Sequence, residues 1–417
     1  MNSIDSKESG KRISYEAIIV AIAFLCVGLI MAGRTSTSFV LSFISKDLQL
    51  DNLQLGMITS VVSLCWAISS VVISVTSDLI GKKKIFLICA FAVFTIASAF
   101  MGAVNSFGLL LIQRAAIGMV GGPMLPLIQS TVSDASKPVR RGRNIGIVMA
   151  GSSLLSGTLA PLYFTSTAMS SGWRNAFVGL AVPGLIVAVL IGVFFRDKEP
   201  NQNAIKVETP TREKITSEDW KALFVNRNFL LGIIGAVACI GASVLSAAFT
   251  QIFLVKYGQI APDKVALFFS VGGIGGILSY LFLPAISDRF GRKPVMVFIA
   301  VCTVLTGLTT VWFCHNFSLL LIAALFGLLA RPGVSMIVYV IVGESVPKKL
   351  VATAYSILLC IGEILGGTVG PTVGGKLADM FDLRAPMYLS AALGVVLVIV
   401  SLFIKETSIR KSGETKE

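Results

Sequence analysis

Four charged side chains interrupt stretches of sequence that are otherwise apolar over membrane-crossing length: Arg34, Arg114, Arg331 and Glu363. A guanidinium in hydrocarbon costs about 2.5–3.5 kcal/mol on insertion scales, so such groups face a cavity or a partner. Guanidinium also keeps its proton at any physiological pH. Its fork of N–H donors matches a carboxylate through bidentate, charge-assisted hydrogen bonds. Between residues 15 and 197 no acid lies inside an apolar stretch, because Glu16, Asp47, Asp51, Asp78 and Asp134 fall at ends or in loops. Arg34 and Arg114 are therefore expected to lack a protein carboxylate, which leaves room for an anionic ligand. For Arg34 the competing reading is a side chain that snorkels to the interface; for Arg114 it is a structural role. Glu363 falls at the same expected depth as Arg331, on the neighbouring stretch, so these two are expected to pair. An anion taking Arg331 would strip Glu363 of its counter-charge and let it bind a proton. That is a route to proton–anion coupling, with a permanent structural pair as the alternative.

Other chemistries are poorly served. His315 is the single histidine, and it stands at a turn. The seven cysteines (Cys26, Cys65, Cys89, Cys239, Cys302, Cys314 and Cys360) are scattered singly, without metal-ligand or disulfide spacing. No metal, no cofactor and no enzymatic constellation is expected. The Lys and Arg behind the net charge of +13 are dispersed over short loops between apolar stretches and not clustered on one folded surface, which argues against a nucleic-acid partner.

The elements that must position these groups are membrane helices. The 417 residues are 55% hydrophobic and 14% charged, far below the quarter or so of charged residues usual in soluble domains. Twelve stretches of about 20 apolar residues are predicted at 17–44, 53–76, 85–105, 107–132, 144–166, 174–195, 229–253, 264–286, 295–313, 317–342, 351–375 and 386–404. Of the 35 Lys and Arg, six lie in loops on one side (Lys46, Arg174, Lys256, Lys264, Lys376, Arg384), and all the rest outside the spans lie on the other. By the positive-inside rule both termini are expected in the cytoplasm. Residues 1–15 read as a cytoplasmic tail and not a signal peptide.

The chain also repeats itself at an offset of about 210 residues. SDLIGKKK at 77–84 matches SDRFGRKP at 287–294, Gly157 and Pro161 match Gly367 and Pro371, and FGLLLI at 107–112 matches FSLLLI at 317–322. The expected organisation is an N-terminal six-helix bundle (1–196), a cytoplasmic linker (197–227) carrying a short amphipathic helix with Trp220, and a C-terminal six-helix bundle with a tail (228–417). Parallel halves of this kind suit rocking about a central site.

These motifs resemble the major facilitator superfamily of transporters. The loop after span 2 carries that family's signature in Asp78, Gly81, Lys82 and Lys83. The second copy supplies Asp288, Arg289, Gly291, Arg292 and Lys293. Departures are Ser74 and Pro284 at the opening Gly, and Leu79 at a usually basic position. Span 4 carries the pattern Arg114, Gly118, Gly121, and GWRNAF at 172–177 is similar to the family's entry to span 6. The resemblance implies an all-α fold of twelve transmembrane helices in two pseudo-symmetric bundles, with spans 1, 4, 7 and 10 lining a central cavity. It also implies that the signature loops latch a gate, where topology determination alone is the plainer alternative.

Within the superfamily the look is closest to organic anion:cation symporters, including sugar-acid carriers, on Arg34 in span 1 and on Arg114, Gly118, Pro123 and Pro126 in span 4. Gly33 and Gly121 stand where those relatives often have an acid. Glu363 is therefore the candidate to carry the proton, and Arg34, Arg114 and Arg331 are the candidate substrate-binding residues. The expectation is a monomer in the inner (cytoplasmic) membrane moving a small organic anion by alternating access, as a proton-coupled symporter. Anion exchange and drug or metabolite efflux against protons are the alternatives. A Gly-Pro-x-x-Gly-Gly element, found in span 5 of drug antiporters, stands here in span 11 at 370–375 and weighs against efflux.

Overall fold

A computed structural model of the chain describes residues 15–80, 83–137, 140–195 and 217–407. Among them there is no strand. Twelve helices are long and apolar enough to cross a membrane: Tyr15–Phe39, Asn52–Ile73, Lys83–Ala103, Phe107–Ala135, Arg143–Ser171, Trp173–Phe194, Arg227–Tyr257, Pro262–Phe290, Arg292–Trp312, Phe317–Ser345, Thr353–Met380 and Ala385–Phe403. They are numbered here as spans 1 to 12. With this length and apolarity the chain is a multi-pass membrane protein. The loops rich in Lys and Arg define its basic face, and the other side is called the opposite face.

Spans 5 and 11 run five residues beyond the expected 166 and 375, to Ser171 and Met380, and span 1 falls short of the expected 17–44. Span 1 ends at Phe39, the chain breaks at Val40, and a separate short helix occupies Leu41–Leu48. The sequence is apolar straight through SFVLSFI, so hydropathy carries no mark of the break. The linker helix is present as Ser217–Val225, where Trp220 stacks on Phe224 and Asp219 pairs with Lys349 at 2.6 Å.

Within each half the spans pack closely where glycine permits. Span 2 lies against span 4, span 3 against span 6, span 7 against spans 11 and 12, and span 9 against span 12. The halves meet where span 2 packs on span 11, span 8 on span 5 and span 1 on span 7. Spans 5 and 11 share a local distortion. Both relax from α- to π-helix, over Ser152–Leu159 and Gly362–Val369. Pro161 and Pro371 follow in the next turn. A proline cannot donate to the carbonyl four residues back and its ring crowds that carbonyl, so the helix widens locally. In each segment a threonine closes the gap from its side chain. Thr158 donates to Ser153 O at 3.0 Å, and Thr368 donates to Glu363 O at 3.1 Å.

Candidate functional site

The distortion in span 11 aims Glu363. Its carboxylate does not pair with Arg331 as expected; it pairs with Arg34 of span 1, across the boundary between the halves. Arg34 Nη2 donates to Glu363 Oε2 at 2.7 Å and to Oε1 at 2.9 Å. Equal depth along two spans says nothing about the direction in which a side chain leaves its helix. Span 11 turns this position toward span 2, and Gly367, one turn on, leaves the room: a Cβ there would stand 2.7 Å from Glu363 Oε2 and 2.9 Å from Ser63 Oγ. Arg34 therefore has its carboxylate after all, supplied by the opposite half. It does not snorkel.

Two further groups hold that guanidinium. Ser63 Oγ accepts from Nη2 at 3.3 Å, and the Trp66 ring covers the guanidinium with its centroid 4.4 Å from Cζ. Trp66 sits there because span 4 presents Gly121, where a Cβ would lie 2.1 Å from the indole. The span 4 motif thus acts on the site through a tryptophan that its own residues do not reveal. Arg34 and Glu363 keep 17% and 14% of their side chains open. Arg34 uses only Nη2 in these bonds, so Nη1 and Nε have no hydrogen-bond acceptor among the described residues.

The halves are sealed from this pair to the opposite face. Ser60 Oγ of span 2 donates to Thr368 O of span 11 at 2.6 Å and meets the Thr372 hydroxyl at 2.8 Å. Ser270 Oγ donates to Thr158 O at 2.8 Å, and Gln251 exchanges two hydrogen bonds with Ser42. At the rim Asp379 caps span 2, accepting from Asn52 N at 3.0 Å and Leu53 N at 2.9 Å. Nearby, Arg384 hydrogen-bonds Asp382 and holds its carboxyl below the usual carboxylate range. Among the described residues no hydrogen bond joins the halves at the basic face. The conformer is closed on the opposite face.

Arg331 lies half-buried in span 10, its guanidinium along the glycine face of span 8. A Cβ on Gly276 would meet Arg331 Nε at 3.3 Å, and one on Gly157 of span 5 would meet Nη1 at 3.5 Å. Among the described residues that guanidinium has no hydrogen bond and no ion pair. Arg114 is the reverse case. It is 0% exposed, donates to Gln113 Oε1 at 2.6 Å and to Gly33 O at 3.1 Å, and rests against the Phe177 ring. It stitches span 4 to span 1 and does not point into open space, contrary to the expectation for a cavity-lining residue.

At the basic face, the side chain of Asp78, and Gly81 and Lys82, lie outside the described residues. Lys83 bonds Ser130 and Asp134 of span 4. In the second copy Arg292 pairs with Asp288 and forks onto Glu344 at 2.7 and 3.2 Å. Gly291 turns the chain at φ +106, and Glu406 accepts from Arg292 N and Lys293 N just beyond. Arg289 is exposed. Every one of these bonds stays within its own half.

Comparison with known proteins places this geometry. The family model described as Major Facilitator Superfamily matches residues 23–259 and again 231–417. The hexuronate transporter of Bacillus subtilis (strain 168) is 32% identical over 202 residues, which is 47% of either chain. The putative niacin/nicotinamide transporter NiaP of the same organism is 24% identical over 376 residues, covering 89% of this chain and 91% of that one. Among solved structures, a bacterial homolog of the human lysosomal transporter Spinster, inward-facing and unoccupied, superposes with TM-score 0.73 at 19% identity, over 95% of this chain and 97% of the other.

Proposed function

This chain belongs to the Major Facilitator Superfamily of membrane transporters, and we propose that it carries a small organic carboxylate across the cytoplasmic membrane together with a proton, by alternating access. The basic face is then cytoplasmic, with both termini inside, and the seal between the halves lies on the outer side. A monomer suffices, since both halves of the site come from one chain. One observation carries the reading: the Arg34–Glu363 pair at 2.7 Å, which joins the halves at the inner end of the seal. The relatives named above as hexuronate and niacin/nicotinamide transporters fit a cargo of this size.

The coupling follows from charge. Empty and deprotonated, the site is neutral because Glu363 satisfies Arg34. An anion alone must compete with Glu363 and leaves that carboxylate without its partner in a poorly hydrated cavity, which raises the cost of the charged form. A proton alone neutralises Glu363 and leaves Arg34 uncompensated. Proton and anion together restore neutrality, with the cargo carboxylate taking the spare Nη1 and Nε donors as well as the surrendered Nη2. Only in the empty and the doubly loaded forms is every charge of the Arg34–Glu363 pair compensated, Arg331 keeping the same charge throughout, so only these two rock freely. Arg331 adds positive potential that draws the anion inward. Arg114 acts by holding span 4 on span 1. Asp78, Gly81, Lys82 and Lys83, with Asp288, Arg289, Gly291 and Arg292, form the latch of the cytoplasmic gate.

The test is Glu363→Gln in proteoliposomes, since the amide mimics the protonated carboxyl. Carboxylate binding should survive and lose its pH dependence, and cargo-for-cargo exchange should continue. Accumulation driven by a pH gradient should fail. A Gln variant that still accumulates carboxylate on a pH gradient alone would sink the coupling scheme. A wild type that exchanges but never accumulates would establish an anion exchanger instead.

A further inference from the structure

The two seals between the halves repeat each other at the 210-residue offset of the sequence. Ser60 of span 2 donates to Thr368 O of span 11, and Ser270 of span 8 donates to Thr158 O of span 5. Beyond the first bond, toward the basic face, the Arg34 guanidinium lies against Ser63 and Trp66. Beyond the second, the Arg331 guanidinium lies at the equivalent level of span 8. A Cβ on Gly272 would stand 3.9 Å from its Nη2, and one on Gly276 would stand 3.3 Å from its Nε. The same guanidinium also touches the other half, where a Cβ on Gly157 of span 5 would stand 3.5 Å from Nη1. Gly157 is the counterpart of Gly367, which leaves room for the Glu363 carboxylate. Each seal therefore ends in a guanidinium, at one depth and on the boundary between the halves.

The two ends differ in their counter-charge. Glu363 satisfies Arg34 at 2.7 Å, whereas the position 210 residues before Glu363 is Ser153. The glycines around Arg331 offer no acceptor side chain, and among the described residues its guanidinium has neither a hydrogen bond nor an ion pair. An unpartnered cation in the membrane interior is expensive, and Glu363 is already engaged. A carboxylate on the cargo can supply what Ser153 does not, through the forked N–H donors of the guanidinium. Resting on the anion-transport reading above, we propose that the cargo is a dicarboxylate. One carboxylate displaces Glu363 on Arg34, and the second binds Arg331 at the other seal. With Glu363 protonated, two guanidinium groups then face two carboxylates, and the loaded site is neutral with Arg331 included. A monocarboxylate leaves Arg331 as it stands in the empty carrier.

Binding of the straight-chain diacids from malonate to suberate to the purified full-length protein, each beside its own monomethyl ester, tests this. The ester keeps the length of the diacid and removes one charge. At least one diacid should bind about tenfold or more tightly than its ester, the worth of a hydrogen bond to a charged group. Arg331→Gln should weaken that diacid by about tenfold or more and its ester by about threefold at most, which abolishes the preference. Arg331→Lys keeps the charge without the fork and should retain part of it. Should Arg331→Gln fail to fold, the wild-type comparison decides by itself. Diacids that bind no more tightly than their esters anywhere in the series, or an Arg331→Gln protein that loses both classes equally, would overturn the second carboxylate while transport of a single anion stands. Failure of the wild type to bind any diacid or ester would overturn the anion reading with it.

Discussion

If the halves part on the opposite face during transport, the tightest contact in the seal decides how readily they do so. Gly273 of span 8 lies directly on span 5, where a Cβ would stand 2.2 Å from Gly157 O and 2.6 Å from Thr158 Oγ1. Carbon atoms of this kind do not approach backbone under 3.0 Å, so Gly273→Ala must push the two spans apart by the difference. The same displacement stretches the 2.8 Å bond from Ser270 to Thr158 O beyond useful length. Overpacking costs about 1–3 kcal/mol and the lost hydrogen bond about 1 kcal/mol. Helix propensity favours Ala equally in both conformers and cancels. At about 1.4 kcal/mol per factor of ten, the closed conformer should lose between about 30-fold and several hundred-fold in population relative to the one open on the opposite face. A cysteine at Ser60, in a background freed of native cysteines, reports the change by its labelling rate from the opposite face. Ser60 is sealed by Thr368 and Thr372 in the closed conformer. Gly146→Ala, with nothing within 4 Å, is the control. If labelling of the Gly273→Ala protein matches that control while the protein remains folded, the seal does not open along spans 5 and 8 and the rocking geometry is wrong.

Asp379→Asn removes the charge that caps span 2 but keeps one acceptor, so it should favour the same opening by about threefold to fivefold, the worth of an exposed charge at a helix N-terminus. An unchanged Ser60 labelling rate would reduce that cap to decoration. Arg114→Gln takes the charged donor from the buried Gln113 Oε1 and should lower stability by about 2–4 kcal/mol, visible as a lower melting temperature, with carboxylate affinity of the folded fraction unchanged. Loss of binding at an unchanged melting temperature would return Arg114 to the cargo site.

The spans were legible because twenty consecutive apolar residues admit few other structures, and the repeat was legible because proline and glycine mark the same turns twice. The partner of Glu363 was not. Sequence gives depth along a span to within a turn, but the direction of a side chain depends on packing, and the π segment of span 11 shifts that direction. The counter-charge of Arg34 lies 329 positions away in the other half, where no local pattern of charge announces it. Trp66 is silent in a hydropathy pattern because aromatic residues count toward apolarity, yet tryptophan belongs at membrane interfaces, so one in the interior of a span signals a polar partner.

The paired π segments bear on how such a chain came to be. Ser152–Leu159 and Gly362–Val369 have the same length, the same following proline and the same threonine bond in the two halves. An ancestor already bearing the widened turn accounts for both, since two independent insertions at matching positions are the costlier history. At the head of each segment stand Ser153 and Glu363, also in register. The widened turn is thus shared by both copies, while the ionisable group belongs to only one. A descendant can change what it carries, or what drives it, by altering the residue at this position in either copy without disturbing the joints on which movement depends.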